Sequence, residues 1–308
     1  GFFAVGAFFC ISGFLITRTA IDSSPLNFIF NRFLRIWPAL FVLLILSSFV
    51  IAPILILHKG ENILIYFMNF QSTGPWTYLF HNIFLPVELQ NSIQDIFSTN
   101  PNGTIFNGSL WTLPLEIRAY FICFFLVILG KKFGLLKIFI TFEIYLFICI
   151  IGDLYKNRFI YFVYPDFIHI GAKFMFIFFF AGIVAIYFER KTVKNLHMIL
   201  ILLIFVLTLI IGGLIFEILG ISLLVFLIPF IADKLKFRRL RFFKNDISYG
   251  TYIYGYLVGQ ILIYYFDFNS HKLFFLTTVI ITSALALLSW FLIEKPALKL
   301  KNLNYVHR

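Results

Sequence analysis

Charge is scarce in this sequence. Only 13% of the 308 residues are Asp, Glu, Lys or Arg, and Asp and Glu together number 14. A water-soluble domain carries about a quarter charged and about half apolar residues. Here 61% are hydrophobic and the mean hydropathy is +0.96, which excludes a soluble globular core. Cysteine is scarcer still: Cys10, Cys123 and Cys149 stand far apart, each inside an apolar run. That spacing excludes a disulfide framework and a cysteine metal site, so no metal is expected. The first residues hold neither a charged leader nor a cleavage signal, so the apolar opening is not a signal peptide. No repeat relates the two halves, which argues against a transporter built from internal repeats.

What is present in excess is apolar length. Phe alone contributes 44 residues, and runs of about 20 apolar residues are what a helix needs to cross hydrocarbon. The runs predict an all-α polytopic membrane helix bundle with nine transmembrane helices over 1–17, 38–57, 110–129, 137–152, 170–187, 197–213, 214–232, 248–265 and 273–293. The glycine pair Gly212-Gly213 is read as a tight turn between the sixth and seventh; a single kinked helix there would reverse everything after it. Charge decides between the two. With each run crossing once, 19 of the 25 Lys and Arg fall in 18–37, 130–136, 188–196, 233–247 and 294–308 or beside them at Lys137. Positive residues favour the cytoplasm, so the chain starts outside and its C-terminus is cytoplasmic. The net charge of +11 is then topological and implies no nucleic-acid partner; membrane lipid is the expected solvent. The odd count predicts at least one further span upstream, ten in the complete protein. The one long external stretch, 58–109, carries Trp76, Tyr78, Phe80, Phe84 and Leu85, too apolar for disorder. It is expected to fold back against the outer mouth of the bundle, partly as interfacial or re-entrant helix.

Four patterns stand out. Ser12-Gly13-Phe14-Leu15 places small residues in the first run, where they permit close helix approach. Arg32 and Arg35 lie one turn apart before Pro38; paired guanidiniums clamp phosphates bidentately, and equally anchor a helix end at the cytoplasmic face. Asn107-Gly108-Ser109-Leu110-Trp111-Thr112-Leu113-Pro114-Leu115-Glu116 carries a loop into a span and a carboxylate one turn inside it. An intramembrane carboxylate is costly, and Glu116 is a functional candidate or a structural anchor. Ser248-Tyr249-Gly250-Thr251-Tyr252 puts phenols into the eighth run, suiting a polar cavity or an interface belt. The chain closes with Ile293-Glu294-Lys295-Pro296.

In this order, from Phe8 to Pro296, the patterns resemble the acyltransferase 3 family of membrane O-acyltransferases. Asn107 to Glu116 is the most specific part. The resemblance implies one membrane acyltransferase domain over 1–308, N-terminally incomplete, in a bacterial cytoplasmic (inner) membrane. It implies transfer of an acyl group, usually acetyl, from cytoplasmic acyl-CoA as co-substrate to hydroxyls of a glycan acceptor such as lipopolysaccharide O-antigen, exopolysaccharide or peptidoglycan, with no permanently bound cofactor. Arg32 and Arg35 match the family's basic motif and are assigned to the CoA phosphates. Glu116 matches the Glu after the Trp element and is the catalytic candidate, orienting polar groups near the acceptor. Asn107, Ser109 and Trp111 would shape the acceptor mouth; Ser12, Tyr249 and Tyr252 would line the path. The family's candidate base is a His in a first span with no counterpart in this sequence; among the histidines present, His81 in the 58–109 stretch is the strongest substitute. A polysaccharide or small-molecule transporter and an inactive truncated remnant are the competing readings.

Overall fold

The computed structural model describes residues 2–86, 88–101, 103–154, 171–187, 195–228 and 245–301. Helices account for nearly all regular structure, and no strand occurs among the described residues. In chain order they are α1 (Phe2–Asp22), α2 (Pro25–His58), α3 (Ile63–Met68), α4 (Pro75–Ile83), α5 (Leu113–Phe133), α6 (Leu135–Leu154), α7 (Ala172–Tyr187), α8 (Asn195–Ile211), α9 (213–228), α10 (Ser248–Tyr265) and α11 (His271–Lys299). Five helical stretches among the described residues are long and apolar enough to cross a membrane: Phe3–Asp22, Pro25–His58, Gly108–Phe133, Leu135–Gly152 and His271–Lys299. The remaining four expected spans coincide with α7, α8, α9 and α10, which are shorter, less apolar or run into undescribed residues. The basic segments 188–194 and 233–244, with His169 and His307, lie outside the described residues.

Contacts divide the chain into two units, 1–28 with 115–242 and 29–114 with 243–308. In the first, α7 is buried on nearly every side. Along its contact with α1, Phe9 meets Phe174, Gly13 meets Phe178 and Thr17 meets Gly182, so the two helices run parallel. An added Cβ on Gly13 would land on the backbone of Phe178; the small residue is what lets the helices touch. α6 runs antiparallel to α7, with Phe139 and Phe142 against Phe179 and Phe147 against Phe176. Its buried stripe is Phe139, Glu143, Leu146 and Ile150, the spacing of one helical face. α8 and α9 form a hairpin in which Thr208 meets Gly220. Its turn is the predicted glycine pair: Gly212 and Gly213 have φ of +68° and +54°, left-handed values that glycine adopts without steric cost. α8 is apolar on its exposed sides as well, as a helix solvated by lipid must be.

In the second unit α2 and α10 run parallel, from Arg35 beside Ser248 to His58 against Tyr265. α11 returns antiparallel, with Ala286 on Gly250 and Phe274 on Gly259. One expectation is corrected here: Pro38 does not open a span but lies inside α2, which begins at Pro25. The missing N–H at Pro38 removes one helical bond, yet the preceding turns stay helical, with Leu34 and Ile36 buried. Arg32 and Arg35, expected on one helical turn, are thus borne by α2 itself.

The 58–109 stretch folds onto this unit. Tyr66 donates its hydroxyl to the Ser48 carbonyl at 2.6 Å, and Trp37 Nε1 donates to the Ile83 carbonyl at 3.0 Å. Asn82 clamps Gln90 through both its amide atoms, at 2.9 Å each.

Candidate functional site

The sequence-predicted residues fall into both units. Ser12 and Glu116 belong to the first; Arg32, Arg35, Asn107, Ser109, Trp111, Tyr249 and Tyr252 belong to the second.

In the first unit Glu116 sits in the opening turn of α5, where the exposed amides of a helix N-terminus favour negative charge. It is buried and accepts the hydroxyl of Tyr120 one turn on. The Tyr120 ring lies 6.4 Å from that of Phe178, whose backbone packs on Gly13 next to the buried Ser12. A second buried carboxylate lies outside the predicted motifs. Glu143 is buried at 8% exposure, and neither of its oxygens has a hydrogen-bond partner among the described residues. The signal was available, since Glu143 is the one acidic residue in the apolar run 137–152.

In the second unit the sites hang from α10. Its first turn is the Ser-Tyr-Gly motif, and each member has a physical task. Ser248 Oγ donates to Asp246 Oδ1 at 2.6 Å and accepts from Arg35 Nη2 at 3.2 Å. Tyr249 donates its hydroxyl to the Ile36 carbonyl at 3.0 Å, and its ring carries the Arg35 guanidinium 5.9 Å from its centroid. A Cβ on Gly250 would stand 2.9 Å from the Ala286 Cα, so this glycine sets the α10–α11 approach.

Arg35 is the hub. Its Nη2 lies 2.8 Å from Asp246 Oδ2 and its Nη1 3.5 Å from Glu294 Oε2. Glu294 is 2% exposed and its other oxygen accepts from Ser289 Oγ at 3.1 Å; Asp246 is 52% exposed. Although partial burial pushes the other way, the Ser248 hydrogen bond and the Arg35 charge hold the Asp246 carboxyl below its ordinary range. Lys301 is pushed below the usual amine range, by burial first and then by the charges of Arg32 and Arg35. Neither Asp246 nor the Arg35–Glu294 pairing was foreseen, because partners this remote in sequence leave no spacing signal.

The next turn of α10 carries the loop. Tyr252 donates its hydroxyl to the Ser109 carbonyl, which leaves Thr112 Oγ1 as donor to that same phenol oxygen. Asn107 Nδ2 donates to the Ile253 carbonyl at 2.8 Å, while its Oδ1 caps the 3₁₀ turn Gly108–Thr112 through Ser109 N at 3.1 Å. Gly108 packs on the Tyr256 ring with no room for a side chain, and Trp111 remains 41% exposed. Farther along, Asn100 Nδ2 donates to the Gln260 carbonyl at 2.9 Å, and Gln260 Nε2 to the Ile105 carbonyl at 2.6 Å. His81 is exposed and donates Nε2–H to the Glu88 carbonyl at 2.7 Å.

A second expectation changes with this geometry. The expected topology separates Arg35, at the inner end, from the Asn107–Trp111 mouth at the outer end. The structure attaches them to successive turns of one helix, Tyr249 and Tyr252, about 4.5 Å apart along its axis. The reason is the descent of the loop along α10, from Gln260 at Asn100 to Ile253 at Asn107.

The sequence profile of the acyltransferase 3 family, an acyltransferase domain, matches residues 1–294. A protein called O-acetyl transferase, from Shigella phage Sf6, is 29% identical over 314 residues, covering 96% of this chain and 84% of its own length. No solved structure matches. The motifs that α10 gathers, and a match across all the described helices up to Glu294, make this chain a member of the acyltransferase 3 family.

Proposed function

We propose that this protein is a multi-pass membrane O-acyltransferase that moves an acetyl group from acyl-CoA to a hydroxyl of a cell-surface glycan. The observation that carries the reading is the family match over residues 1–294; the relative's name, O-acetyl transferase, supports the acetyl group and the oxygen acceptor. The reaction exchanges one bond for another. The sugar oxygen attacks the thioester carbonyl, the C–S bond breaks, and the hydroxyl proton leaves with the CoA thiol.

In this reading Arg32 and Arg35 grip the CoA phosphates, since guanidiniums pair phosphate oxygens bidentately. The crowding of Lys301 with both arginines supports it, because an anion relieves that repulsion. Glu116 orients polar groups near the acceptor through Tyr120. Asn107, Ser109 and Trp111 shape the acceptor mouth, and Ser12, Tyr249 and Tyr252 line the path. The donor is drawn from the cytoplasm, and the membrane is the bacterial inner membrane.

The test is the O-acetyl content of the surface glycan. Deleting the gene should abolish one O-acetyl signal, restored by the wild-type gene and not by Glu116→Gln. An unchanged glycan after deletion refutes the reading, and full restoration by Glu116→Gln removes that residue's role.

A further inference from the structure

The 26 residues 62–87 contain no Asp, Glu, Lys or Arg, although only Lys59-Gly60-Glu61 separates them from the end of a membrane-spanning helix. The structure leaves large apolar side chains of this segment outside, among the exposed polar residues Asn62, Gln71, Ser72 and His81. Tyr66, Tyr78, Leu79 and Asn82 face inward and are buried, whereas Leu64, Ile65, Met68, Phe70, Phe80 and Phe84 are exposed. Phe84 reaches 80% exposure and Met68 76%. Water is a poor solvent for six large apolar side chains in so short a stretch.

Position along α2 says what covers them. Tyr66 hydrogen-bonds at Ser48, Phe67 stacks on Phe49 at a ring distance of 6.2 Å, and Trp76 meets Phe49 edge-on at 4.9 Å. Seven residues beyond Trp76, Ile83 is held by Trp37. From Ser48 to Trp37 is about 16 Å of helix axis, around half the hydrocarbon thickness. The α3–α4 hairpin therefore enters alongside a membrane-spanning helix and descends with it. Non-helical backbone is tolerated at such depth only when its polar groups are satisfied within the protein. The turn between α3 and α4 satisfies much of its backbone internally: Gln71 N bonds Asn69 Oδ1, Gly74 N bonds the Gln71 carbonyl, and Thr77 Oγ1 bonds the Gln71 and Gly74 carbonyls.

We propose that residues 62–86 form a re-entrant segment whose apolar face, from Leu64 to Phe84, lies against the acyl chains of the bilayer. The occupant is membrane lipid, continuous with the lipid around α2, whose own exposed side chains Ile54 and Leu57 border it in sequence. This surface holds independently of the acyl-transfer reading.

The test uses the full chain in liposomes, with one nitroxide label at a time on Leu64→Cys, Met68→Cys or Phe84→Cys. The three native cysteines are buried. Ile54→Cys serves as lipid reference and Lys59→Cys as water reference. The ratio of collisions with oxygen to collisions with a water-soluble nickel chelate should match Ile54 and exceed Lys59 several-fold. The ratio should also be higher at Phe84 than at Leu64, as the descent requires. A ratio like that of Lys59 overturns the proposal, as does protection from both reagents, which a second copy of the chain would give. A measurement on the unsubstituted protein guards against labelling artefacts. Hydroxyl radicals generated in water should oxidise Met68 no faster than the buried Met175; oxidation at the rate of a free methionine overturns the proposal.

Discussion

Replacing Arg35 with Ala should destabilise the protein far more than its surface position suggests, and the cause should be Glu294. Arg35 is 22% exposed and holds two carboxylates of opposite character. Asp246 is half in water, so its pairing contributes about 0–1 kcal/mol. Glu294 is 2% exposed, and removing the partner of a buried ion costs about 3–5 kcal/mol, since the charge left behind is unsolvated. Arg35→Ala should therefore cost several times as much as Asp246→Asn. Arg35→Met combined with Glu294→Gln removes both charges, fills similar volume and should recover most of the loss. Unfolding by SDS titration in mixed micelles, followed by circular dichroism, measures all four proteins. The reasoning fails if Arg35→Ala and Asp246→Asn are equally mild, or if the double variant is no more stable than Arg35→Ala.

Three further outcomes follow from the packing and titration. Gly13→Ala puts a methyl 2.7 Å from the Phe178 carbonyl carbon; overpacking of about 1–3 kcal/mol should outweigh the gain in helix propensity of about 1 kcal/mol. Gly259→Ala, whose methyl meets only Phe274 Cζ, at 3.7 Å, among the described residues, should be neutral or stabilising in the same SDS titration, and a reversed order would contradict the α1–α7 contact. Asn100→Ala removes the bonds to Gln260 and should cost about 1–3 kcal/mol, seen as faster proteolysis within 90–106. The Asp246 carboxyl is lowered in the folded state, so its stabilisation is complete above the unfolded value of 3.8 and disappears as pH falls through the folded value. The stability gap between wild type and Asp246→Asn should accordingly be constant near neutrality and close only in acid; a gap that closes near neutral pH would contradict the assignment.

How much of this was legible in the sequence depends on the range of the interaction. Hydrocarbon solvation acts residue by residue, so within the described residues each predicted span falls on helix, and the turn at Gly212-Gly213 was legible from backbone freedom together with the distribution of charge. Asn107 to Thr112 was legible as a motif, because a capped 3₁₀ turn is local. The course of 58–109 was legible only as a tendency: its aromatics excluded disorder, but the descent from Ser48 to Trp37 depends on side chains that find each other across 18 to 46 positions. The Arg35 network joins residues more than 200 apart, and no spacing rule reaches that far. Glu143 is the converse case, a local anomaly visible in the sequence whose surroundings alone give it meaning.

The same network constrains how Arg35 could serve an acyl donor. A guanidinium already paired with two carboxylates can take a phosphate only by surrendering one of them, and the two are not equivalent. Releasing Glu294 would leave an ion at 2% exposure without its counter-charge, whereas Asp246, at 52%, can be taken up by water. A phosphate arriving at Arg35 would therefore displace Asp246 and leave Glu294 in place to aim the guanidinium. Asp246→Asn weakens the competitor and should lower the KM for acyl-CoA with kcat little changed. Glu294→Gln, which loosens the aim, should raise KM instead. If both substitutions move KM in the same direction, or neither moves it, Arg35 is a structural tie and the phosphate grip lies elsewhere on this face.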